Sequence, residues 1–161
     1  MIVVRRCMDR DALAKTLLPI CQNELSLEGR VRPLTLECLV MALKGWDIVE
    51  FFDTEKRAII GAAAREPNRC LHIYVDRARR ISWAPHSSLE AVLDIFLSDS
   101  DCLYAAIPVA NWNTISMVRK LGFIQTGSEN GTAHFVVTCL TRRHCWRQTR
   151  GPNECGSRGQ P

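Results

Sequence analysis

Apolar positions along the chain switch between a period near 3.6 and a period of 2, and the switches mark its elements. Ile2 to Arg5 reads as a first strand. Asp9 then stands as N-cap to a helix from about Arg10 to Cys21, with Leu13, Leu17, Leu18 and Cys21 on its apolar side. Pro19 lies inside that pattern and is expected to kink or end it. After a loop with Gly29 and Pro33, a second helix is expected over Leu34 to Lys44, where Leu36, Leu39, Val40 and Leu43 form a stripe and Gly45 is the stop.

Asp47 to Asp53 reads as a strand, Thr54 to Lys56 as a polar turn and Ala58 to Arg65 as the returning hairpin partner. Leu71 to Asp76 follows as a third strand of this group, with Leu71, Ile73 and Val75 alternating against His72, Tyr74 and Asp76. Beyond a basic bend, Arg77 to Ala84, a third helix runs from about Pro85 to Leu97 and buries Leu89, Val92, Leu93 and Phe96. The nearly all-apolar run Leu103 to Ala110 is a buried strand whose Pro108 suggests a bulge or strand end. Asn111 caps the next helix, Gly122 ends it, and two strands close the pattern: Phe123 to Gly127 and Ala133 to Leu140, joined by a turn at Glu129 to Gly131.

The segment Asn111-x-x-Thr114-Ile115 to Lys120-Leu121-Gly122-Phe123 resembles the strand-helix-turn near the C-terminus of the GNAT superfamily of N-acetyltransferases. The order β-α-α-β-β-β-α-β-α-β-β over residues 2 to 140 is also that family's order. The resemblance implies an α/β (α+β) fold with a mixed, splayed central sheet and helices on both faces. It implies one GNAT-like acyltransferase domain over residues 1–140; residues 141–161, with no apolar period and rich in Gly, Pro and Arg, are expected to form a basic, flexible tail.

The same resemblance says where a cofactor should sit. In the family, a glycine-rich connection from the third central strand to the third helix cradles the coenzyme A pyrophosphate, because bare N–H groups and a helix N-terminus favour an anion. The aligned stretch here is Arg79-Arg80-Ile81-Ser82-Trp83-Ala84. Arg79 and Ala84 fit, while Ser82 replaces the first glycine and Trp83 holds the middle position. Arg79, Arg80, Ser82, Trp83 and Ala84 are therefore the pyrophosphate candidates. Trp83-Ala84 after an Arg-rich bend resembles a variant associated with phage-encoded GNAT-like proteins. The backbone of Ile73 and Val75 would pair the pantetheine arm, and Asn111, besides capping its helix, would contact the cofactor. Acetyl-CoA or CoA is thus expected as a bound co-substrate and not as a prosthetic group.

Acetyl transfer to an amine needs a base, and the conserved geometry of the family also offers an acid. Many GNAT enzymes place a Tyr four residues before the Gly-Phe pair, and here Val118 occupies that position. His72 is the first base candidate, because imidazole titrates near pH 6.5, with Glu50 and Glu66 on or near the neighbouring strands. A half-buried sheet histidine, bonded to a neighbour, is the competing reading of His72. Trp46 and Trp112 read as core or interface anchors.

Composition narrows the partners. Hydrophobic residues make up 47% of the 161, which suits one globular domain with a full-sized core. The N-terminus turns polar too soon for a signal peptide, and no apolar run approaches the roughly 20 residues that span a bilayer. A cytoplasmic protein is expected, or one in a host cytoplasm or virion if phage-encoded. The eight cysteines include no CxxC pair and read as buried free thiols. Cys139, His144, Cys145 and Cys155 lack a recognisable zinc spacing. Residues 142–158 hold five arginines against Glu154 alone and so carry the whole +4 charge. The neutral body offers no nucleic-acid face. The expected acceptor is the amine of a small molecule or of a protein, and no metal is expected. The alternative is an inactive GNAT-fold protein that binds protein partners, for example in phage head or virion assembly.

Overall fold

The computed structural model describes residues 1–27, 33–75 and 86–142. Its elements are β1 (Ile2–Arg6), α1 (Arg10–Leu27), α2 (Leu36–Leu43), β2 (Asp47–Asp53), β3 (Ala58–Arg65), β4 (Leu71–Val75), α3 (His86–Leu97), β5 (Cys102–Pro108), α4 (Trp112–Lys120), β6 (Ile124–Glu129) and β7 (Thr132–Thr138). This is the expected order. The strands form a four-stranded sheet, β1-β2-β3-β4, and a three-stranded sheet, β5-β7-β6, all pairs being antiparallel. The chain divides into two compact units, Met1–Ser100 and Asp101–Pro161.

In the first unit, Asp9 caps α1 as expected, its Oδ1 accepting from the Asp11 and Ala12 N–H groups at 3.0 Å each. The expected end near Cys21 is corrected: the helix does not end at Pro19 and runs on to Leu27. Proline removes one backbone donor, and burial of Leu13, Leu17 and Cys21 on the helix face outweighs that loss. Each such Leu contributes on the order of 1.5–3 kcal/mol. The second helix starts two residues later than expected, because Thr35 caps it by accepting from the Cys38 N–H at 3.2 Å.

Cross-strand register assigns the faces of the four-stranded sheet. Arg5, Glu50, Ala62 and Tyr74 lie opposite one another, as do Ile48, Ala64 and His72, so all share one face. The cluster of Leu13, Leu17, Leu39, Leu43, Ile48, Ala62 and Ala64 shows that α1 and α2 cover that face. Arg65 lies on the other face. Its guanidinium donates to the Phe96 carbonyl at 2.8 Å and to Asp99 at 2.6 Å, and pairs with Asp47, which ties β2 and β3 to the end of α3. Helices thus cover both faces of this sheet.

In the second unit, Leu103, Ala105 and Ile107 of β5 face Val137, Phe135 and Ala133 of β7, and all six are buried. Ile115 and Val118 of α4 are buried as its period predicts. The turn after α4 is a Schellman motif: Phe123 N–H donates to the Val118 carbonyl and Gly122 N–H to the Arg119 carbonyl, both at 3.1 Å. Gly122 takes φ +93°, the left-handed geometry that its place in the sequence required. Thr126 is a bulge in β6, which runs to Glu129 and past the expected end at Gly127.

One further expectation is corrected and another narrowed. Of the cysteines among the described residues, only Cys21 is buried, while Cys38 and Cys139 are exposed. Apolar neighbours in sequence did not bury them: Cys38 lies off the Leu39–Leu43 face of α2, and Cys139 follows the end of β7. Trp112 is 65% exposed at the first turn of α4, which removes the core half of its expected role as a core or interface anchor.

β3 supplies the close approach on which the β3–β4 pairing depends. A Cβ on Gly61 would lie 2.4 Å from the Tyr74 carbonyl oxygen, a backbone atom, whereas a Cβ on Gly127 meets nothing within 4 Å. Gly61→Ala is expected to destabilise the fold by roughly 1–3 kcal/mol through overpacking. Gly127→Ala should be near neutral, and denaturant unfolding of the two variants beside the parent checks the contrast.

Candidate functional site

Titratable side chains gather where the β3–β4 hairpin closes. Its turn, Glu66-Pro67-Asn68-Arg69, is fixed by the Arg69 N–H donating to the Glu66 carbonyl at 2.8 Å and by the Glu66 N–H donating to the Cys70 carbonyl at 2.9 Å. Arg69, at φ +69°, takes the left-handed bulge position, and Asn68 Oδ1 accepts from the Cys70 N–H. Pro67 pre-sets the turn. Cys70, His72 and Tyr74 then point to one face by the two-residue period of a strand.

His72 Nε2 and Glu66 Oε1 lie 2.6 Å apart, both side chains being partly exposed. The imidazole stacks near-parallel to Trp46, with ring centroids 5.2 Å apart and planes at 17°, and to Tyr74 at 6.1 Å and 10°. Arg10 holds Trp46 in place. Its guanidinium donates to the Trp46 carbonyl at 2.8 Å and to the Leu43 carbonyl, which ties the start of α1 to the end of α2. Trp46 is therefore a ring contact of His72 as well as a partly buried member of the core. Burial, and then the neighbouring Cys21, Glu66 and Cys70, push the Tyr74 phenol well above its ordinary range, so it stays protonated. Burial first and Glu66 second also raise the Cys70 thiol.

Of the three carboxylate and imidazole candidates, the structure brings Glu66 and His72 together and places Glu50 apart. Glu50 is 2% exposed on β2, with β3 between it and the His72 strand, and Arg5 Nε donates to its Oε1 at 2.5 Å. Arg5 also lies 4.0 Å over the Phe52 ring. A buried carboxylate left without its cation is costly.

Ile73 and Val75 lie on β4, the edge strand of the first sheet. The bonded pair Glu66–Cys70 sets the alternation along the ladder: His72 and Tyr74 exchange backbone bonds with Ala64 and Ala62, whereas the peptide groups of Leu71, Ile73 and Val75 face away from β3. Asn111 caps α4, its Oδ1 accepting from the Thr114 N–H at 3.3 Å. Arg79, Arg80, Ser82, Trp83 and Ala84 lie outside the described residues, as do His144, Cys145 and Cys155. Cys70 was missed by sequence reasoning. Its signal was the Cys70-x-His72 spacing on one strand face, opposite Glu66 across a Pro-Asn turn.

Comparison with solved structures decides the fold. An N-acetyltransferase from Staphylococcus aureus Mu50 superposes with a TM-score of 0.66 at 17% identity, over 86% of this chain and 98% of that one. This chain has the GNAT fold. A spermidine N-acetyltransferase from Vibrio cholerae in complex with CoA and spermine gives 0.67 at 13% identity, over 88% of this chain and 98% of its own. A GNAT superfamily phosphinothricin acetyltransferase from Sinorhizobium meliloti in complex with AcCoA gives 0.61 at 22%, over 85% and 88%. No family model and no curated protein matches the sequence. No helix among the described residues is long and apolar enough to cross a membrane.

Two tests follow from this geometry. Arg5→Met is expected to cost about 1–3 kcal/mol by leaving Glu50 buried without its donor, and Glu50→Gln in that background should recover part of the loss in denaturant unfolding. For Tyr74, the folded-state value lies above the unfolded one. Its contribution to stability is therefore complete below about pH 10 and declines as pH rises beyond it. In an ultraviolet alkaline titration, one of the two tyrosines should ionise only as the protein unfolds. That late step should be missing in Tyr74→Phe.

Proposed function

We propose that the protein is an acetyl-coenzyme A-dependent N-acetyltransferase acting on an amine. The observation that carries this is the combination on one edge strand of a GNAT fold and the turn before it: outward-facing peptide groups at Ile73 and Val75, and the Glu66–His72 pair at 2.6 Å. The pantetheine arm of coenzyme A has amides that suit an open strand edge, where unpaired N–H and C=O groups template a further chain. Ile73 and Val75 would hold that arm, and the Arg79–Ala84 segment its pyrophosphate. Bound acetyl-CoA supplies the activated acetyl thioester.

In this chemistry Glu66 accepts the Nε2–H of His72, which fixes the tautomer and leaves Nδ1 with the lone pair. Trp46 and Tyr74 keep the ring from turning. His72 then takes the proton from the acceptor ammonium at Nδ1, and Glu66 stabilises the imidazolium that forms. Glu66 also adds a negative charge that favours a cationic acceptor. Small amines fit this description, and the Vibrio cholerae neighbour is a spermidine enzyme.

Calorimetric titration with acetyl-CoA tests the binding half, and should show saturable heat that weakens in Arg79→Ala. Turnover against a panel of primary amines tests the chemical half. His72→Gln should lower kcat by about 10²–10⁴ while leaving acetyl-CoA affinity unchanged. Absence of any heat with acetyl-CoA would sink the enzyme reading and direct the search to protein partners.

A further inference from the structure

The hairpin end contains more than a base and its carboxylate. Ligand atoms of Glu66, Cys70 and His72 all lie within 4.8 Å of one another, and each of the three residues is partly buried. We propose that these three side chains form a zinc-binding site, with the fourth coordination position open to water or a small ligand.

The donor set is one thiol sulfur, one imidazole nitrogen and one carboxylate oxygen. That set suits a borderline-soft cation such as Zn²⁺ and disfavours Mg²⁺ and Ca²⁺, which select all-oxygen shells. Tetrahedral zinc, with bonds of about 2.3 Å to sulfur and about 2.0–2.2 Å to nitrogen and oxygen, separates its ligand atoms by roughly 3.3–3.6 Å. Pairs no more than 4.8 Å apart need to close by at most about 1.5 Å, and the 2.6 Å His72–Glu66 contact needs to open by roughly 0.7–1 Å. Side-chain torsions alone can supply such movements.

The backbone beneath the site is already set. Cys70 and His72 are two residues apart on one strand face, and the Glu66–Cys70 backbone bond of 2.9 Å places the carboxylate directly across from the thiol. The stacked rings of Trp46 and Tyr74 restrict the imidazole plane. A ligand set preorganised by a tight turn loses little entropy on closing around a metal. Binding takes the proton from the Cys70 thiol, since the thiolate is the ligand.

A bound zinc would occupy the imidazole and carboxylate assigned above to proton transfer, and so would hold the enzyme off. That consequence rests on the acyl-transfer reading. Metal binding itself does not, and its readout needs no activity.

The test uses Co²⁺ as a spectroscopic probe with the full chain under reducing conditions. Titration is expected to give one Co²⁺ per chain with a thiolate-to-cobalt charge-transfer absorption, abolished by one equivalent of Zn²⁺ and unaffected by excess Mg²⁺. Cys70→Ser should lose the charge-transfer band, whereas Cys38→Ser, at an exposed cysteine remote in sequence, should keep it. Circular dichroism of each variant establishes that it is folded. Should Cys70→Ser fail to fold, Glu66→Gln and His72→Asn take its place, and each should weaken cobalt binding. No charge-transfer band in the parent, a band that persists in Cys70→Ser, or unchanged cobalt affinity in both Glu66→Gln and His72→Asn would overturn the site.

Discussion

Everything chemical in the described structure depends on the register of one hairpin, β3 with β4. Glu66 opposite Cys70 sets it, and from there the pairs run to Gly61 opposite Val75. A slip of one residue would send His72 and Tyr74 to the face of α3 and turn the peptide groups of Ile73 and Val75 inward to β3. Two local features prevent the slip. The Pro67-Asn68-Arg69 turn fixes one end, and at the other the absence of a side chain at Gly61 lets the Tyr74 carbonyl come close. Ala62 and Ala64 of β3 are buried between these ends and leave room for α1 and α2 to approach the sheet.

From that register the surroundings of His72 follow. Its face of the sheet is the one closed by α1 and α2, so the loop that joins α2 to β2 delivers Trp46 beside the imidazole ring. Arg10, at the first turn of α1, donates to both the Leu43 and Trp46 carbonyls, so the helix pair and the histidine environment are fastened by one guanidinium. Arg65 performs the corresponding fastening on the opposite face, where its bonds to Asp47, Asp99 and the Phe96 carbonyl join sheet and helix. The polar groups that stabilise the first unit thus also set the geometry of its candidate chemistry.

The order of elements was legible in the sequence because each carries its own punctuation. Asp9 and Asn111 cap helices in the structure as their positions implied, and Gly122 takes the left-handed φ that the Leu-Gly-Phe turn required. Where tertiary burial competes with local propensity, boundaries were misread, and α1, which runs past Pro19 and the expected end at Cys21 to Leu27, is the clearest case. The alternation of β4 placed His72 and Tyr74 on a common face, but Cys70 stayed hidden because its partnership with Glu66 depends on turn geometry and not on period. Exposure was the least legible property. Cys38 stands near Leu36, Leu39 and Val40 and still faces outward, since a period shows which residues share a face without showing what covers it.

The departure at Val118 changes where proton transfer should be sought. Many GNAT enzymes carry a phenol at this position of the helix, whereas here the helix presents a buried Val118. The phenol that burial keeps protonated is Tyr74, on β4, beside the imidazole that stacks with it. Among the described residues Glu66, Cys70, His72 and Tyr74 therefore gather titratable side chains on one short strand and its turn, while α4 contributes a cap and apolar packing. A strand pinned by a tight turn and a close glycine contact is a stiffer support than a helix end. Groups that must share protons at hydrogen-bond distance gain most from such stiffness, because small displacements of a proton donor cost rate steeply.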